Sequence, residues 1–523
     1  MRQWMVAAKK ADFYVIAEKF HVDPVVARII RNREVIGEKN IRIYLGGNLS
    51  DLSDPHQMKD MDQLVEILAQ KIRKQVHIRI IGDYDVDGVT SSHLFLTALR
   101  RVGAKVDVVI PHRIQDGYGL SLHLLQQAKE DGVDTILTCD NGIAAIDEIA
   151  WAKAQKMTVL VTDHHAVPFE EHEGRRTEKK SLADAVVNPH QQDCGYPYKE
   201  LCGAGVAWNV IRVLYENYDM DKREAEDLLD FVAMATVCDV MSLTGENRIL
   251  VKEGLKRIRH TKNIGLQALM QACNVQPENI SAYHFGYVLG PCVNATGRLD
   301  TARHALRLFE TGQETEAEEI ARDLVDLNQE RKELTLQGVE MAKKLCEEGG
   351  YENDPVLVLF LPDVHESIAG LIAGRIREMY NRPVFVLTRG EEGVKGSGRS
   401  TENYSMYENM CGCAELFTKF GGHPMAAGLS LPEENVEKFR RKINENCPLT
   451  VEEVCSDIHI DMAMPVGYAS TELVHQFALL EPFGKDNPSP LFADRNLSIS
   501  RMWLIGKNRN VLRMSVLSEY GQP

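Results

Sequence analysis

Three short segments of this 523-residue chain carry side chains of the kinds that hold metal ions. The first, Gly82-Asp83-Tyr84-Asp85-Val86-Asp87-Gly88, sets a carboxylate at every second position. The others are Cys139-Asp140-Asn141-Gly142 and Thr162-Asp163-His164-His165. In an extended segment side chains alternate with period two, so Asp83, Asp85 and Asp87 would share one side. Three acids so close repel one another unless a cation neutralises them. Carboxylates with imidazoles suit Mn²⁺, Mg²⁺ or Zn²⁺, and the absence of clustered cysteines disfavours a thiolate zinc site. Five or more such ligands could hold two ions ~3.5–4 Å apart, the arrangement for in-line attack on phosphate esters. Taken singly, a DxD run or a His pair is ordinarily a turn, a cap or a structural group.

Their placement gives the three segments weight. Apolar runs at residues 76–81, 106–111, 135–139, 158–162 and 183–187 are separated by helix-like stretches such as 91–101 and 143–156, with Gly103 as a helix stop. Alternating β and α with short connections reads as an α/β fold with a parallel, doubly wound sheet. Ligands of such sheets gather outside the carboxyl ends of the strands. Each acidic cluster directly follows a predicted strand, so all three converge on one edge.

The length exceeds what one core serves, and at ~150 residues per domain three or four domains are expected. With 44% hydrophobic and 26% charged residues the chain is globular rather than disordered or fibrous. No apolar run approaches the ~20 residues that cross a bilayer. The opening MRQWMVAAKKADFYVIAEKF is broken by Lys9, Lys10, Asp12 and Glu18, so no secretory leader is expected. The 11 cysteines lack framework spacing and read as reduced thiols of a cytoplasmic protein. Cys411 and Cys413 lack the spacing and the partner pair of a zinc site. Sixty Lys and Arg against 76 Asp and Glu give a net charge of −16. That charge repels phosphate backbones at long range, but local cations or bound metals reverse the sign inside a cleft. Charge alone leaves a nucleic-acid partner open.

Residues 200–350 read as mostly helical, with Gly203, Ala204, Gly205 and Ala207 allowing close packing. The stretch 314–347, rich in Glu, Leu, Arg and Lys and free of Pro, reads as a long solvated helix or helix pair. A second α/β region follows from 355 to about 446, with strands expected at 356–360 and 383–387 around a helix at 367–380. Within it, Gly396-Ser397-Gly398-Arg399-Ser400 and Gly421-Gly422-His423 read as small-residue turns. There Gly admits backbone N–H groups close to a phosphate and Arg399 offers a bidentate fork. The tail mixes short β-like runs at 457–461, 496–505 and 511–516.

Asp83 to Gly88, Asp140, Asp163-His164-His165 and a later acid, Asp239, together resemble the four motifs of the DHH phosphoesterase superfamily. Residues 82–91, Gly245-Glu246-Asn247-Arg248, Asn294-Ala295-Thr296-Gly297-Arg298, 396–400 and 421–428 are similar to its bacterial single-strand-specific exonucleases, and the likeness extends from about residue 40 to 495. The resemblance implies an N-terminal extension (1–72), a parallel-sheet DHH catalytic domain (73–260) and a helical connector (261–350). A smaller α/β DHH-associated substrate domain (351–446) and a C-terminal OB-like β domain (447–523) would follow. Two divalent ions, Mn²⁺ or Mg²⁺, are implied. Asp85 and Asp87 would ligate different ions, Asp83 would ligate or support, Asp140 would bridge, and His164 and Asp239 would complete the second site. Asp163 would orient an imidazole and His165 would face the scissile phosphate, while the ions made hydroxide available at neutral pH. The DHH-associated domain would close over the site, with Ser397, Arg399 and Arg298 holding a terminal 5′ phosphate and His423 on the opposite wall. His365 and Asn294 are further substrate-binding candidates. Two positions depart from the pattern: Ile81 stands where some relatives carry His, and Ser367 replaces a usual Gly and is expected to cap the next helix.

The stretch from Glu481 to Phe492 resembles the opening of the family's OB-fold domain, in which a basic groove and stacked bases bind single strands. Phe483, Phe492, Arg495, Arg501, Trp503, Lys507, Arg509 and Arg513 lie there, with Phe492 equally placed for the barrel core. The run ends soon after Val516, short for a complete barrel, so a last strand is expected to be missing. The implied activity is 5′-to-3′ hydrolysis of single-stranded DNA to 5′-mononucleotides in recombination and repair. A single-strand-binding protein and a RecQ-type helicase are the implied partners, with no membrane. Two rivals are weighed. A nano-RNase or cyclic-dinucleotide phosphodiesterase shares the chemistry but generally has the two catalytic lobes alone. A non-catalytic replication-fork scaffold would have lost metal ligands that this chain keeps.

Overall fold

In the computed structural model, residues 4–113, 116–172, 175–390, 393–506 and 509–517 are described. They form two compact units. The first holds Lys9–Asn328 and Tyr468–Pro490; the second holds the described residues of Met1–Ala8, Gln329–Gly467 and Leu491–Pro523.

The first unit is built on five parallel strands: β1 (Ile78–Ile81), β2 (Val106–Val109), β3 (Thr135–Cys139), β4 (Thr158–Thr162) and β5 (Ala185–Val187), in the order β2-β1-β3-β4-β5. The strands are apolar on both faces because helices cover both. Ile80, Leu137 and Leu160 join one core, and Ile81, Ile136, Val159 and Val161 join the other. The chain passes from β1 outward to β2 and then returns to β3 on the other side of β1. A topological switch point therefore lies between β1 and β3, where ligands of doubly wound sheets bind.

The acidic segment after β1 is not the extended run that its alternation suggests. Helix α1 (Val86–Arg101) begins well ahead of the expected residue 91. Asp85 caps it, accepting the Gly88 N–H at 3.1 Å, and Asp87 lies in its first turn. Asp is favoured both as a cap and near the positive end of the helix dipole, so the helix wins over the strand. Helices α2 (Gly203–Asn217) and α3 (Leu229–Cys238) pack on α1.

The Gly245-Glu246-Asn247-Arg248 motif opens α4 (Gly245–Ile258) and works as scaffold. Buried Arg248 donates to the carbonyls of Tyr44 at 2.8 Å and of Leu479 and Leu480 at 2.9 Å, and stands over the Tyr44 ring. Glu246 accepts the Tyr196 hydroxyl at 2.5 Å and the Ser53 N–H at 3.1 Å. This motif thus holds the N-terminal segment and the Tyr468–Pro490 segment within the first unit. Helices α5 (Gly290–Leu299) and α6 (Arg303–Glu310) follow, then α7 (Glu314–Glu348), one continuous helix rather than a pair. Ala317, Ile320, Ala321 and Leu324 of α7 join the first unit's core, and Val339, Ala342 and Cys346 join a core of the second. Only its outer face fits the expectation of a solvated helix.

The second unit contains β6 (Leu357–Phe360), α8 (Ala369–Tyr380), β7 (Val384–Gly390), β8 (Gly393–Arg399), β9 (Lys419–His423) and β10 (Ala426–Leu431). The sheet order is β9-β10-β8-β7-β6, with β6 and β7 parallel and the other pairs antiparallel. The two glycine-rich segments expected as turns are strands β8 and β9. Glycine here makes room for neighbours: a Cβ on Gly396 would lie 2.3 Å from the Leu387 side chain, and one on Gly398 2.4 Å from the Met406 sulfur. Ser367 does not cap α8. The cap position falls on Ile368 without a side-chain bond, and the Ser367 hydroxyl instead lies 2.7 Å from His365 Nδ1. Nearer the end, Ser498–Ile505 and Val511–Leu517 form an antiparallel hairpin carrying Arg501, Trp503 and Arg513. Lys507 lies outside the described residues.

Candidate metal centre

The carboxyl ends of β1, β3 and β4 bring the acids and histidines together as the strand order requires. His164 Nε2 lies 3.0 Å from Asp140 Oδ1 and 3.6 Å from both Asp87 Oδ2 and Asp239 Oδ2. Ligand atoms fall into three groups within 4.8 Å: Asp83 with Asp85 and Asp140; Asp87 with His164 and Asp239; Asp140 with His164 and His165. Asp239 follows α3 as its C-cap, at the negative end of the helix dipole. A carboxylate is disfavoured there unless a cation is near.

Backbone geometry is committed to this cluster. Asp140 has φ +62°, a left-handed conformation uncommon outside glycine that Asp tolerates. At the start of α2, the Gly203 and Ala204 N–H groups donate to Asp87 at 2.6 and 2.7 Å. A Cβ on Gly203 would sit 2.7 Å from the Asp140 Cβ, so only glycine allows α2 this close. A Cβ on Gly88 would likewise lie 2.4 Å from the Asp83 carbonyl oxygen.

Electrostatics set the acids apart by role. Burial, followed by the charge of Asp85, raises the Asp83 carboxyl well above the carboxylate range; burial and Asp87 raise Asp85. Burial and the charges of Asp87, Asp85, Asp239 and Asp83 raise Asp140. Asp239 is pushed up to about 8 by burial and then by Asp87 and Asp85. Asp163 is opposite. Burial alone would raise it, but bonds from His165 Nδ1 at 2.8 Å, the His164 and His165 amides at 2.7 and 3.0 Å and the Ile143 amide at 2.9 Å hold it low. Burial alone would lower His165; the bond and charge of Asp163 carry it up to about 9.

The residues fit a divalent metal by an observation of their own. Asp83 Oδ1 is buried and has no hydrogen-bond partner among the described residues, and the buried Asp140 Oδ1 and His164 Nε2 face each other at 3.0 Å without forming a well-aligned hydrogen bond to any described group. Orphaned buried ligand atoms are rare in folded proteins and call for an explanation such as an ion. The oxygen-rich set with one or two imidazoles suits Mn²⁺ or Mg²⁺. Asp163 belongs to none of the three groups; its bond to His165 Nδ1 fixes the orientation of that imidazole.

Two other expected residues join the acidic loop. Asn294 of α5 accepts the Val86 N–H at 3.1 Å, which makes it a support for that loop. Arg298 follows at the end of α5, and neighbouring Gly297 lets that helix approach, since a Cβ there would lie 2.4 Å from the Tyr84 carbonyl oxygen. Tyr118 was not foreseen. Its hydroxyl lies 3.1 Å from His165 Nε2 and donates to the Asp140 carbonyl at 3.0 Å. The signal available for it was Gly117 and Gly119 on either side, both at positive φ.

Ser397, Arg399, His365 and His423 belong to the second unit. Ser397 and Arg399 alternate along β8 on the face toward α8, where a Cβ on Gly370 would lie 3.0 Å from the Arg399 guanidinium. Lys395, two residues earlier, pairs with Glu366 at 2.8 Å in the turn that His365 opens. His423 stands opposite Ala426, which in turn stands opposite Arg399, so the three share one row of the sheet.

Family models match three stretches: the DHH family N-terminal domain over residues 77–236, the DHHA1 domain over 353–447 and the RecJ OB domain over 460–522. A parallel sheet with acids and histidines at its switch point, followed by a DHHA1 domain, defines a phosphoesterase of the DHH class. The single-stranded-DNA-specific exonuclease RecJ of Haemophilus influenzae is 34% identical over 518 residues, 95% of this chain and 88% of that protein. RecJ of Bacillus subtilis is 32% identical over 511 residues, 97% of this chain and 63% of that protein, so the chain spans under two thirds of that relative. The crystal structure of RecJ in complex with Mn²⁺ from Thermus thermophilus matches with a TM-score of 0.83 at 27% identity, covering 99% of this chain and 74% of that one. The chain belongs to the RecJ family.

Proposed function

We propose that the chain is a two-metal exonuclease that degrades single-stranded DNA from the 5′ end to nucleoside 5′-monophosphates, in recombination and repair within the cytoplasm. The observation that carries this reading is the buried cluster of orphaned ligand atoms at the sheet's switch point. Its groups support one ion held by Asp83, Asp85 and Asp140 and a second by Asp87, His164 and Asp239, with Asp140 between them. Two divalent ions bound there supply Lewis acidity toward the phosphate and an activated water at neutral pH.

The chain's own groups do the rest. Asp163 bonds His165 Nδ1 and favours the protonated imidazole, whose Nε2 N–H faces the Tyr118 hydroxyl at 3.1 Å and would be shared with the scissile phosphate. That charge favours the developing negative charge and places a proton where the departing 3′ oxygen can receive it. Tyr118, bonded to the Asp140 carbonyl and beside His165, holds the imidazole in place. Arg298, Ser397 and Arg399 are assigned to the terminal 5′ phosphate, with His365 and His423 as further substrate contacts. A single-strand-binding protein and a RecQ-type helicase are the proposed partners. Among the described residues, no helix is long and apolar enough to cross a membrane.

The test is digestion of a long, end-labelled, 5′-phosphorylated single strand beside a dinucleotide, with Mn²⁺ or Mg²⁺. Stepwise release of mononucleotides from the 5′ end is expected. Turnover of the dinucleotide alone would reject the assignment in favour of a small-substrate phosphodiesterase, and an intact strand would favour a scaffold.

A further inference from the structure

A groove of the first unit opens from the metal cluster. It measures about 640 Å³ and lies between the ends of α3 and α4, the helical turns Ala282–His284 and Phe285–Leu289, and residues 481–489. It begins at the cluster itself. Val240, in its wall, directly follows Asp239, and the Asp239 carboxyl feels the charge of Lys485, also in the wall.

Val240 has φ +56°, a left-handed backbone that a β-branched side chain rarely takes. It stands just past the end of α3, where the Met241 N–H reaches back to the Thr236 carbonyl at 3.1 Å. Glycine ordinarily fills such a position and would fill this one without strain. The isopropyl group is nonetheless 62% exposed and adds little to the core. A strained residue whose side chain faces solvent beside a metal ligand points to a contact made by that side chain.

The groove is also aromatic. Tyr283 and Tyr287, four residues apart on one helical face, stack with ring centres 5.1 Å apart and planes 22° from parallel. They stay 62% and 72% exposed, so ring surface is open to a further planar group. The Cys238 thiol donates to the Phe285 carbonyl at 3.3 Å and ties this turn to the end of α3. Two cations of the wall, Arg259 and Lys485, are exposed and form no ion pair among the described residues. Glu481 is the one acid among the lining residues, and its charge acts on buried Arg248. Open rings beside unpaired cations select a polyanion that carries planar groups with free faces, which is a single strand.

We infer that this groove holds bases of the substrate strand on the 3′ side of the scissile phosphate, with Tyr283 and Tyr287 as the stacking platform and Val240 as the contact nearest the cut. The 5′-terminal phosphate is already assigned elsewhere, so a further strand site serves the part not yet cut. That placement rests on the nuclease reading; strand binding by the groove does not.

Fluorescence anisotropy of the full chain with a 3′-labelled oligothymidylate, read in EDTA so that nothing is cut, tests the binding. Tyr283→Ala and Tyr287→Ala should each weaken it about fivefold or more, and an abasic strand of equal length should show no such loss. Arg259→Gln and Lys485→Gln should each flatten the dependence of log affinity on log salt by about 0.7. Val240→Gly should weaken binding while its melting temperature holds or rises, which loss of a merely structural side chain would not do. In digestion with Mn²⁺ the tyrosine variants should show a raised KM with little change in kcat. Unchanged affinity in the double variant Tyr283→Ala/Tyr287→Ala, equal losses with the abasic strand, or a Val240→Gly chain that melts lower overturns the groove. A wild type that binds with these dependences but leaves the strand uncut would support the groove and overturn the nuclease reading alone.

Discussion

Asp140 concentrates the costs of this site in one residue. It holds a left-handed backbone, lies buried among four acids and touches the first turn of α2. Asp140→Asn keeps a side chain that tolerates this backbone but loses the full charge. Digestion of the labelled strand should fall about 10³-fold or more, with near-native circular dichroism. Gly203→Ala is a sharper test, since it removes no ligand. Its Cβ would press on the Asp140 Cα and Cβ at 3.0 and 2.7 Å, so activity and Mn²⁺ affinity should both drop while every acid remains. Retained Mn²⁺ affinity in that variant would mean that α2 does not position Asp140.

Among the elements, α3 sets stability against position at Asp230. Asp230 in the first turn of α3 is buried, and burial pushes its carboxyl up to about 6 against the bonds from Thr261 and the Phe231 amide. A carboxyl whose folded pKa lies above its unfolded value binds its proton more tightly when folded. Its cost is therefore absent at pH below the unfolded pKa and fully present above the folded one. A shift of about two units corresponds to roughly 2–3 kcal/mol. Urea unfolding of wild type and Asp230→Asn should give a stability difference that moves in the variant's favour by that amount between about pH 4 and pH 7. A constant difference across that range would contradict the burial argument. The alternating acids misled on a neighbouring element. Period two suggested an extended segment after the strand, but the same Asp residues are strong helix-start residues, and capping decided the outcome.

For the whole molecule, metal binding and stability are one measurement. Buried acids that repel in the metal-free protein gain a counterion when Mn²⁺ binds, so Mn²⁺ should raise the melting temperature relative to EDTA. At a hundredfold excess over the dissociation constant the gain is about 2.7 kcal/mol per site. Asp140→Asn should lose most of that shift, and an unchanged melting temperature in wild type would argue against a resident ion. The second unit carries the substrate prediction. Arg399→Ala should reduce the preference for 5′-phosphorylated over 5′-hydroxyl strands, with comparable turnover of both. An unaltered preference would remove Arg399 from the phosphate assignment.

The positions of the strands and the identity of the acids and histidines were legible in the chain alone, because hydrophobic runs and the ligands that follow them are local features; the order of the strands in the sheet was not. The resemblance then supplied Asp239, far along the sequence, which no local pattern marks. Only the folded chain decided the remainder. Tyr118 acts from a loop with no chemical signature. Gly396, Gly398 and Gly422 of β8 and β9 read as turn residues until neighbouring elements fill the space their missing side chains leave. Arg248 became a scaffold through three carbonyls from distant segments. Such roles depend on which groups meet across the fold, and one-dimensional spacing does not contain that information.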